Sequence, residues 1–247
     1  VHKEASISWV DISTGSFHIS SIKPDKLSSE LTRLSPSEIL LSENLVEEHR
    51  DLAEEFGISV TELGNSAFDS SSARERLKKT FKVETVDGLG IFNRAEISAM
   101  GAIIEYLQIT QKGKLPLLSR PQRELNSSFM SIDTATRKNL ELTKGLSSGN
   151  KSGSLLSVID QTLTSGGARL LEKRVSAPST NLDEIEKRLD SLDFIIADVS
   201  LSSSLQSELK KVPDVDRALS RVSLDRAGPR DLVAIRNGLR QSSIISK

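Results

Sequence analysis

The sequence has no cysteine, so disulfide bonds, thiolate zinc sites and cysteine nucleophiles are excluded. Aromatic residues are scarce, at 4%, and the core must be built mainly from Leu, Ile, Val and Ala. No hydrophobic run approaches the roughly 18 residues of a membrane-spanning helix, and no signal peptide is visible. These absences are compatible with the reducing cytoplasm, which is the location we expect, and we expect no membrane contact.

An excess of one charge is also missing, because 33 Lys and Arg residues balance 34 Asp and Glu residues. A protein held to DNA by its whole surface is usually basic. Any nucleic-acid contact should therefore be local, or be made by parts outside this chain. The first residue is Val1 rather than Met, and residues 229–245 resemble a helix that is still running. We therefore expect an internal piece of a longer protein.

Strand-like and helix-like segments alternate in the first half. Such alternation predicts an α/β layer domain with a partly parallel sheet, opened by a β-hairpin around Ser13-Thr-Gly15. Asp69 is a candidate helix N-cap, and the segment 93–111 is the most apolar helix of this half. The predicted strands are 7–12, 17–19, 38–42 and 58–63, and the predicted helices are 43–56, 69–81 and 93–111, with another starting at Pro24.

The second half is predicted to be an all-α helical bundle from Asp133 onwards, without strands. Residues 117–132 precede it as a linker with one extended segment, 128–132. The predicted helices are 133–147, 154–163, 165–177, 181–200, 201–211, 214–223 and 229–245.

One of these helices, 181–200, carries a heptad-like apolar stripe. Asn181 is a good N-cap, and Glu184 completes a pair that resembles a capping box. Fewer heptads are present than an intermolecular coiled coil sustains, so we predict that the stripe packs in the bundle core. Its members are Leu182, Ile185, Leu189, Leu192, Ile196 and Val199.

A segment resembling a phosphate-binding loop lies at Gly145-Leu-Ser-Ser-Gly-Asn-Lys-Ser152. Lys151 and Ser152 stand where the motif needs them, but Asn150 replaces the second glycine. A phosphate loop also follows a strand, whereas this one follows a predicted helix. We therefore interpret it as a loop between helices, with a nucleotide hydrolase using Lys151 as the alternative.

Three carboxylates of the first half, Asp11, Glu43 and Asp69, begin or end predicted elements. Two-metal nucleases gather such side chains at strand ends. A turn residue, a first-turn acid and an N-cap explain the same three positions without a metal. The three histidines, His2, His18 and His49, match no metal-ligand spacing, with His18 expected on a strand face and His49 on a solvated helix face. We therefore predict no catalytic, cofactor or metal residue in this chain.

The last part of the chain is rich in arginine. Arg217 and Arg221, and likewise Arg236 and Arg240, are four residues apart and so share helix faces. These arginines could contact DNA phosphates. Interleaved aspartates favour a salt-bridged bundle surface instead.

Taken in order, several short motifs resemble the MutS family of DNA mismatch repair proteins across nearly the whole chain. Arg174 departs from this pattern, since the family usually has Trp there, which indicates a divergent member. In the first half the resemblance rests on Trp9-Val-Asp-Ile-Ser-Thr-Gly-Ser-Phe17, Gly101, Tyr106-Leu107, Thr110-Gln111 and Pro116. In the second half it rests on Asp133, Thr136, Asn139-Leu-Glu141, Ser154-Leu-Leu156, Asp160, Thr162, Thr164, Gly167, Arg169-Leu-Leu171, Pro178, Arg188-Leu-Asp190, Asp214, Asp216-Arg217, Arg221 and Arg226 to Leu232.

The resemblance implies a connector domain over residues 1–116, the linker 117–132, and the start of a core or lever domain over 133–247. The connector would have a ribonuclease-H-like fold without nuclease function. The chain would be non-catalytic, coupling DNA binding to an ATPase whose ATP and Mg sites lie elsewhere in the longer protein. That protein would be a homodimer that binds mismatched double-stranded DNA.

The resemblance also implies that MutL docks on the connector, near Glu75 and Arg76 and the end of the helix 93–111. A solvated helix face explains the same two residues without a partner. Two alternatives to the mismatch-repair reading stay open. One is a divergent paralogue that acts in recombination, and the other is a metal-dependent nuclease on the α/β half.

Overall fold

The computed structural model describes residues 5–125 and 128–246. Contacts divide the chain into two compact units, unit 1 (Val1–Asn126) and unit 2 (Ser127–Lys247). Among the described residues, no helix combines the length and the apolar character needed to cross a membrane.

Unit 1 begins with the predicted hairpin. Strands β1 (Ala5–Asp11) and β2 (Ser16–Ile22) pair antiparallel, with Asp11 opposite Ser16. The turn is closed by a 2.7 Å hydrogen bond from the Gly15 amide to the Asp11 carbonyl. Gly15 has a φ of 73°, and a Cβ there would lie 1.9 Å from the carbonyl oxygen of Leu117. Only glycine therefore fits this turn.

The described strands of unit 1 form two small sheets, one of three strands and one of two, rather than the single sheet that we expected. Strand β3 (Glu38–Ser42) pairs in parallel with β4 (Ser59–Leu63), and helix α2 (Glu43–Glu55) makes the crossover. Helix α1 (Leu27–Leu34) precedes β3. A two-residue strand, β5 (Gln122–Arg123), pairs in parallel with β2. It falls in the predicted linker, and two residues are too few for a periodic pattern.

Two helices complete unit 1, as predicted. They are α3 (Ser70–Phe81) and α4 (Arg94–Thr110). Helix α4 supplies half of the buried hydrophobic core cluster, and it packs against Phe17 and Ile19 of β2. The fully buried apolar members of this core are Phe17, Ile19, Ala73, Leu77, Ile97, Met100, Ile104 and Leu107.

Unit 2 is helical, as predicted. Its described helices are α5 (Thr134–Asn139), α6 (Leu155–Ile159), α7 (Ser165–Ser176), α8 (Leu182–Ala197), α9 (Val199–Leu209), α10 (Val215–Ser223) and α11 (Pro229–Ile245). The extended segment near Phe129 is also present, and it makes a single antiparallel bridge to Ser179. Ser179 belongs to no strand, so the prediction of helices without strands from Asp133 onwards holds for the residues that the structure describes.

The first two helices of unit 2 are shorter than predicted. Helix α5 ends at Asn139 rather than 147, because Glu141 takes a left-handed conformation with a φ of 47°. The carbonyl of Glu141 then accepts the Leu155 amide at 2.8 Å instead of a helical partner. Helix α6 ends at Ile159 rather than 163, because Asp160 is extended and its carboxylate accepts from Thr162.

The heptad-like stripe is helical, but the prediction that it packs in a bundle core is wrong. Leu182, Ile196 and Val199 are 65%, 69% and 76% exposed. The predicted helix 181–200 is also broken at Asp198, which leaves the helical region and accepts the Leu201 amide at 2.9 Å. The spacing of apolar residues determines which of them share a helix face, but it does not show whether another helix covers that face.

Candidate partner-binding surface

Helix α3, which carries the two candidate partner-binding residues, begins at a well-formed cap. The Asp69 carboxylate accepts the Ser72 amide at 2.8 Å, as the sequence predicted. This hydrogen bond lowers the pKa of Asp69. The cap satisfies an amide that would otherwise lack a helical partner, and it fixes where the helix starts.

Helix α4 begins at a capping box. The Asn93 side chain accepts the Glu96 amide at 2.9 Å, and the Glu96 carboxylate accepts the Asn93 amide at 2.8 Å. Glu96 is only 2% exposed, and it also accepts from Ser21 at 3.1 Å and pairs with Arg123 at 2.5 Å. No local sequence pattern indicated Arg123, because it lies 27 residues from Glu96 in a short strand.

Helices α3 and α4 pack closely and run in the same direction. The Arg94 Nε donates to Ser70 Oγ at 3.1 Å, one end of the contact. Further along, a Cβ on Gly101 would lie 2.2 Å from the Ala73 Cβ. Glycine at this position therefore allows the two backbones to approach, and the pair presents one continuous surface.

The two candidate residues have different surroundings. Arg76 is 17% exposed, and its guanidinium lies 2.5 Å from the Glu105 carboxylate and donates to the Ala67 carbonyl at 2.5 Å. Glu75 is 73% exposed, and its one ion pair among the described residues is with Lys78, at 3.1 Å. Arg76 therefore joins α3 to α4, and Glu75 is the one that a partner can reach.

The three candidate carboxylates each have a local role. Asp11 accepts the amide and hydroxyl of Ser13 at 2.8 and 2.7 Å in the hairpin turn. Glu43 is the first residue of α2, and Asp69 caps α3. Across residues 5–125 and 128–246, no group of three or more His, Asp or Glu side chains could hold a metal ion.

The segment resembling a phosphate loop uses its polar groups internally. It connects α5 to α6, as interpreted from the sequence, and the Gly145 amide donates to the Asn150 carbonyl at 2.8 Å. Lys151 Nζ lies 2.6 Å from the Asp160 carboxylate. Hydrogen bonds from Lys151 and Thr162 lower the pKa of Asp160 to about 2. Lys151 is therefore engaged by a carboxylate.

The histidines show no shared site. His2 lies outside the described residues. His18 is on strand β2, as expected, where its ring stacks on Trp9 at 5.4 Å and its Nδ1 lies 3.5 Å from a Glu124 carboxylate oxygen. His49 is half-buried on α2 rather than on a fully solvated face.

Two of the four candidate arginines of the carboxyl-terminal part, Arg217 and Arg221, are engaged by carboxylates. Arg221 Nε donates to Asp231 at 2.7 Å, and this bond lowers the pKa of Asp231. Arg217 lies 3.6 Å from Asp214. Arg236 bonds to its neighbour Asn237 at 3.1 Å. This arrangement fits the salt-bridged surface better than it fits free phosphate contacts.

A further arginine joins two distant helices of unit 2. Arg169 donates to both Asp214 carboxylate oxygens, at 2.8 and 3.0 Å, and also reaches Asp216 at 3.0 Å. The bonds from Arg169 lower the pKa of Asp214. The partners are 45 residues apart, so no local sequence pattern could have predicted the pairing.

Two family models match the chain in succession. Residues 2–119 match MutS domain II, and residues 135–247 match MutS domain III. Among curated proteins, the DNA mismatch repair protein MutS of Ruegeria pomeroyi is 54% identical over 247 residues, or 100% of this chain. The proteins of the same name from Roseobacter denitrificans and Paracoccus denitrificans are 53% and 50% identical, over 99% and 100% of this chain. The chain spans 28% of the length of each of these relatives.

Proposed function

Since this chain belongs to the MutS family of DNA mismatch repair proteins, we propose that it is a non-catalytic connector and lever region of such a protein. It would couple mismatch binding elsewhere in the protein to an ATPase. The observation that carries this proposal is the succession of domain II and domain III matches, which include no ATPase domain. Coupling of distant sites needs stiff elements between them, and the capped helices of unit 1 and unit 2 are suited to that role.

We also propose the finer architecture. Unit 1 would be a ribonuclease-H-like connector, and its hairpin followed by a parallel β-α-β crossover supports this. The domain division would be 1–116, 117–132 and 133–247. The family matches support it in that they leave residues 120–134 unmatched. Limited proteolysis tests the division, which predicts that the first cleavage falls between residues 117 and 132.

The properties of the longer protein are proposals too. It would bind mismatched double-stranded DNA as a homodimer, use ATP with Mg, and reside in the cytoplasm. The name that the relatives carry supports the mismatch-repair part of this proposal. That name also favours mismatch repair over a recombination paralogue, and no observation favours a nuclease.

The docking of MutL on unit 1 is the most specific part of the proposal. Its site would be the outer face of α3 around Glu75 and Arg76, together with the end of α4. The exposure of Glu75 supports a direct contact. Arg76 would act by holding α3 against α4, through Glu105 and the Ala67 carbonyl.

A pull-down of this chain with purified MutL and ATP tests the docking proposal. Glu75→Ala should change capture, because it removes an exposed charge from the proposed contact. Glu47→Ala is a matched control, since Glu47 is 84% exposed on α2 and pairs with Arg50 three residues on. Equal capture of both variants would place the contact elsewhere, and no capture of the unaltered chain would reject docking on this region.

A further inference from the structure

Helix α3 carries a concentration of positive charge that the chain as a whole lacks. Five of the nine residues from Arg74 to Lys82 are Lys or Arg and one is Glu, while the net charge of the chain is -1. Arg76 and Lys78 are engaged by Glu105 and Glu75. Arg74, Lys79 and Lys82 are exposed, and the part of the chain that the structure describes offers them no ion-pair partner.

The carboxyl-terminal ends of α3 and α4 lie at the same end of unit 1. Contacts between Ser70 and Arg94 and between Arg76 and Glu105 show that the two helices advance together. Lys112, just past the end of α4, therefore adds its charge to the same end as Lys82. It is exposed and also has no ion-pair partner among the described residues.

An exposed apolar side chain accompanies these lysines. Ile109 is 65% exposed in the last turn of α4, although the same helix buries Ile97, Ile103 and Ile104. An apolar centre with a charged rim is the usual composition of a protein–protein interface. A surface that contacts only DNA phosphates does not need an exposed isoleucine, because phosphate contacts are polar.

Helix stability alone explains only part of the pattern. Lysines in the last turn interact favourably with the helix dipole, and Lys78 and Lys79 fit that role. Lys82 lies after the end of α3 and Lys112 after the end of α4. Both lysines lie at the end of unit 1 where Ile109 is exposed, and this position calls for an explanation outside the helix.

We propose that Lys79, Lys82 and Lys112 form the rim of a docking surface centred on Ile109, which takes an acidic surface of a partner protein. This inference rests on the proposed docking of MutL at α3, and it specifies the chemistry of the partner's contact. Opposite charges across an interface mainly speed association, and they are screened by salt. Binding should therefore be strongly salt-dependent.

The test compares two charge-reversal variants of the whole chain. Lys79→Glu with Lys82→Glu reverses two of the three rim charges. Lys23→Glu with Lys26→Glu is the control, because those lysines are also exposed in unit 1 and have the same spacing. Binding is measured at about 50 and 200 mM salt to three probes. The probes are MutL, a labelled peptide of alternating Glu and Leu, and a labelled DNA duplex.

We expect the rim variant to bind MutL and the acidic peptide about tenfold more weakly at low salt, with duplex binding unchanged and the control like the original chain. Equal urea midpoints for both variants would show that folding is intact. Undiminished binding of MutL and peptide by the rim variant would overturn the inference while leaving docking in place. Loss of duplex binding alone would also overturn it, making the rim a nucleic-acid surface. Rim-dependent peptide binding without MutL capture would instead reject only the docking proposal.

Discussion

The two units bury their apolar side chains to different extents, although both are built from the same aliphatic residues. In unit 1, Phe17, Ile104 and Leu107 are at most 1% exposed and belong to one continuous cluster. In unit 2, Phe194 and Leu189 on α8 are 71% and 54% exposed. The apolar residues that the structure records as buried there are Leu142, Leu156, Ala177, Ala218 and Leu224.

This difference shows that composition does not decide how a unit is stabilised. Unit 1 depends on hydrophobic burial, which supplies most of the folding free energy of a domain. Unit 2 shows helix caps such as Asn181 and Asp198, and exposed ion pairs such as Arg188 with Glu184. Exposed ion pairs contribute little, so we expect unit 2 to unfold at lower urea concentration than unit 1.

The largest predicted effect comes from truncating matched phenylalanines in the two units. Phe17→Ala should cost unit 1 about 3–5 kcal/mol, because it leaves a cavity in the cluster. Phe194→Ala should change the stability of unit 2 by less than about 0.5 kcal/mol, because that ring is already exposed. Urea unfolding followed by circular dichroism measures both. Equal losses would mean that the two units do not differ in this way.

A smaller loss of stability should follow from removing one partner of an ion pair in each unit. Arg123→Ala leaves the buried Glu96 carboxylate with one partner fewer, which should cost roughly 1–3 kcal/mol. Arg221→Ala removes an exposed pair with Asp231 and should cost less than about 1 kcal/mol. If the carboxylate charge is the cause, Glu96→Gln should recover part of the loss in the Arg123→Ala background.

Removing a helix cap should lower the free energy of unfolding by the same amount in both units, since a cap acts only on its own helix. Asp69→Ala at the start of α3 and Asn181→Ala at the start of α8 should each cost about 1 kcal/mol. Thermal unfolding of each single variant measures the two losses. A much larger loss at Asp69 would indicate that its carboxylate has a role besides capping.

The smallest predicted effect is a change in acid sensitivity at Asp160. Its pKa is lowered from 3.8 to about 2 by Lys151 and Thr162, so its carboxylate stabilises the folded state above the unfolded value. That contribution should be lost as the pH falls from near 3.8 towards 2. Lys151→Ala should move the pKa back towards 3.8, which a carboxylate titration by nuclear magnetic resonance can follow. An unchanged pKa would contradict the pairing.

Local sequence signals predicted the parts of the fold that depend on local chemistry. Asp69 and Asn181 were identified as caps because capping joins residues three apart, and the strand 38–42 was found from its apolar run. The pairing of β5 with β2 joins residues about 100 apart, and no pattern within two residues could reveal it. The exposure of the α8 stripe was missed for a related reason, since spacing cannot show which surface covers it.

The partner-binding role of Glu75 and Arg76 stays a prediction, and the sequence does not show how the two residues divide it. Glu75 and Arg76 were selected together by resemblance, and nothing in the sequence separates them. The separation comes from Glu105, 29 residues after Arg76, which draws that arginine between the helices. Part of the positive rim, Lys79 and Lys82, could have been noticed as a run of basic residues. The placement of Lys112 and Ile109 at the same end depends on the packing of α3 on α4, which the sequence does not show.

Hydrogen exchange of the chain, with and without MutL and ATP, tests most directly the proposal that unit 1 is the docking unit. We predict slower exchange at the exposed amides around the carboxyl-terminal ends of α3 and α4 when MutL is present, with α8 to α11 unchanged. Protection confined to unit 2, or no change anywhere while MutL is bound, would contradict it.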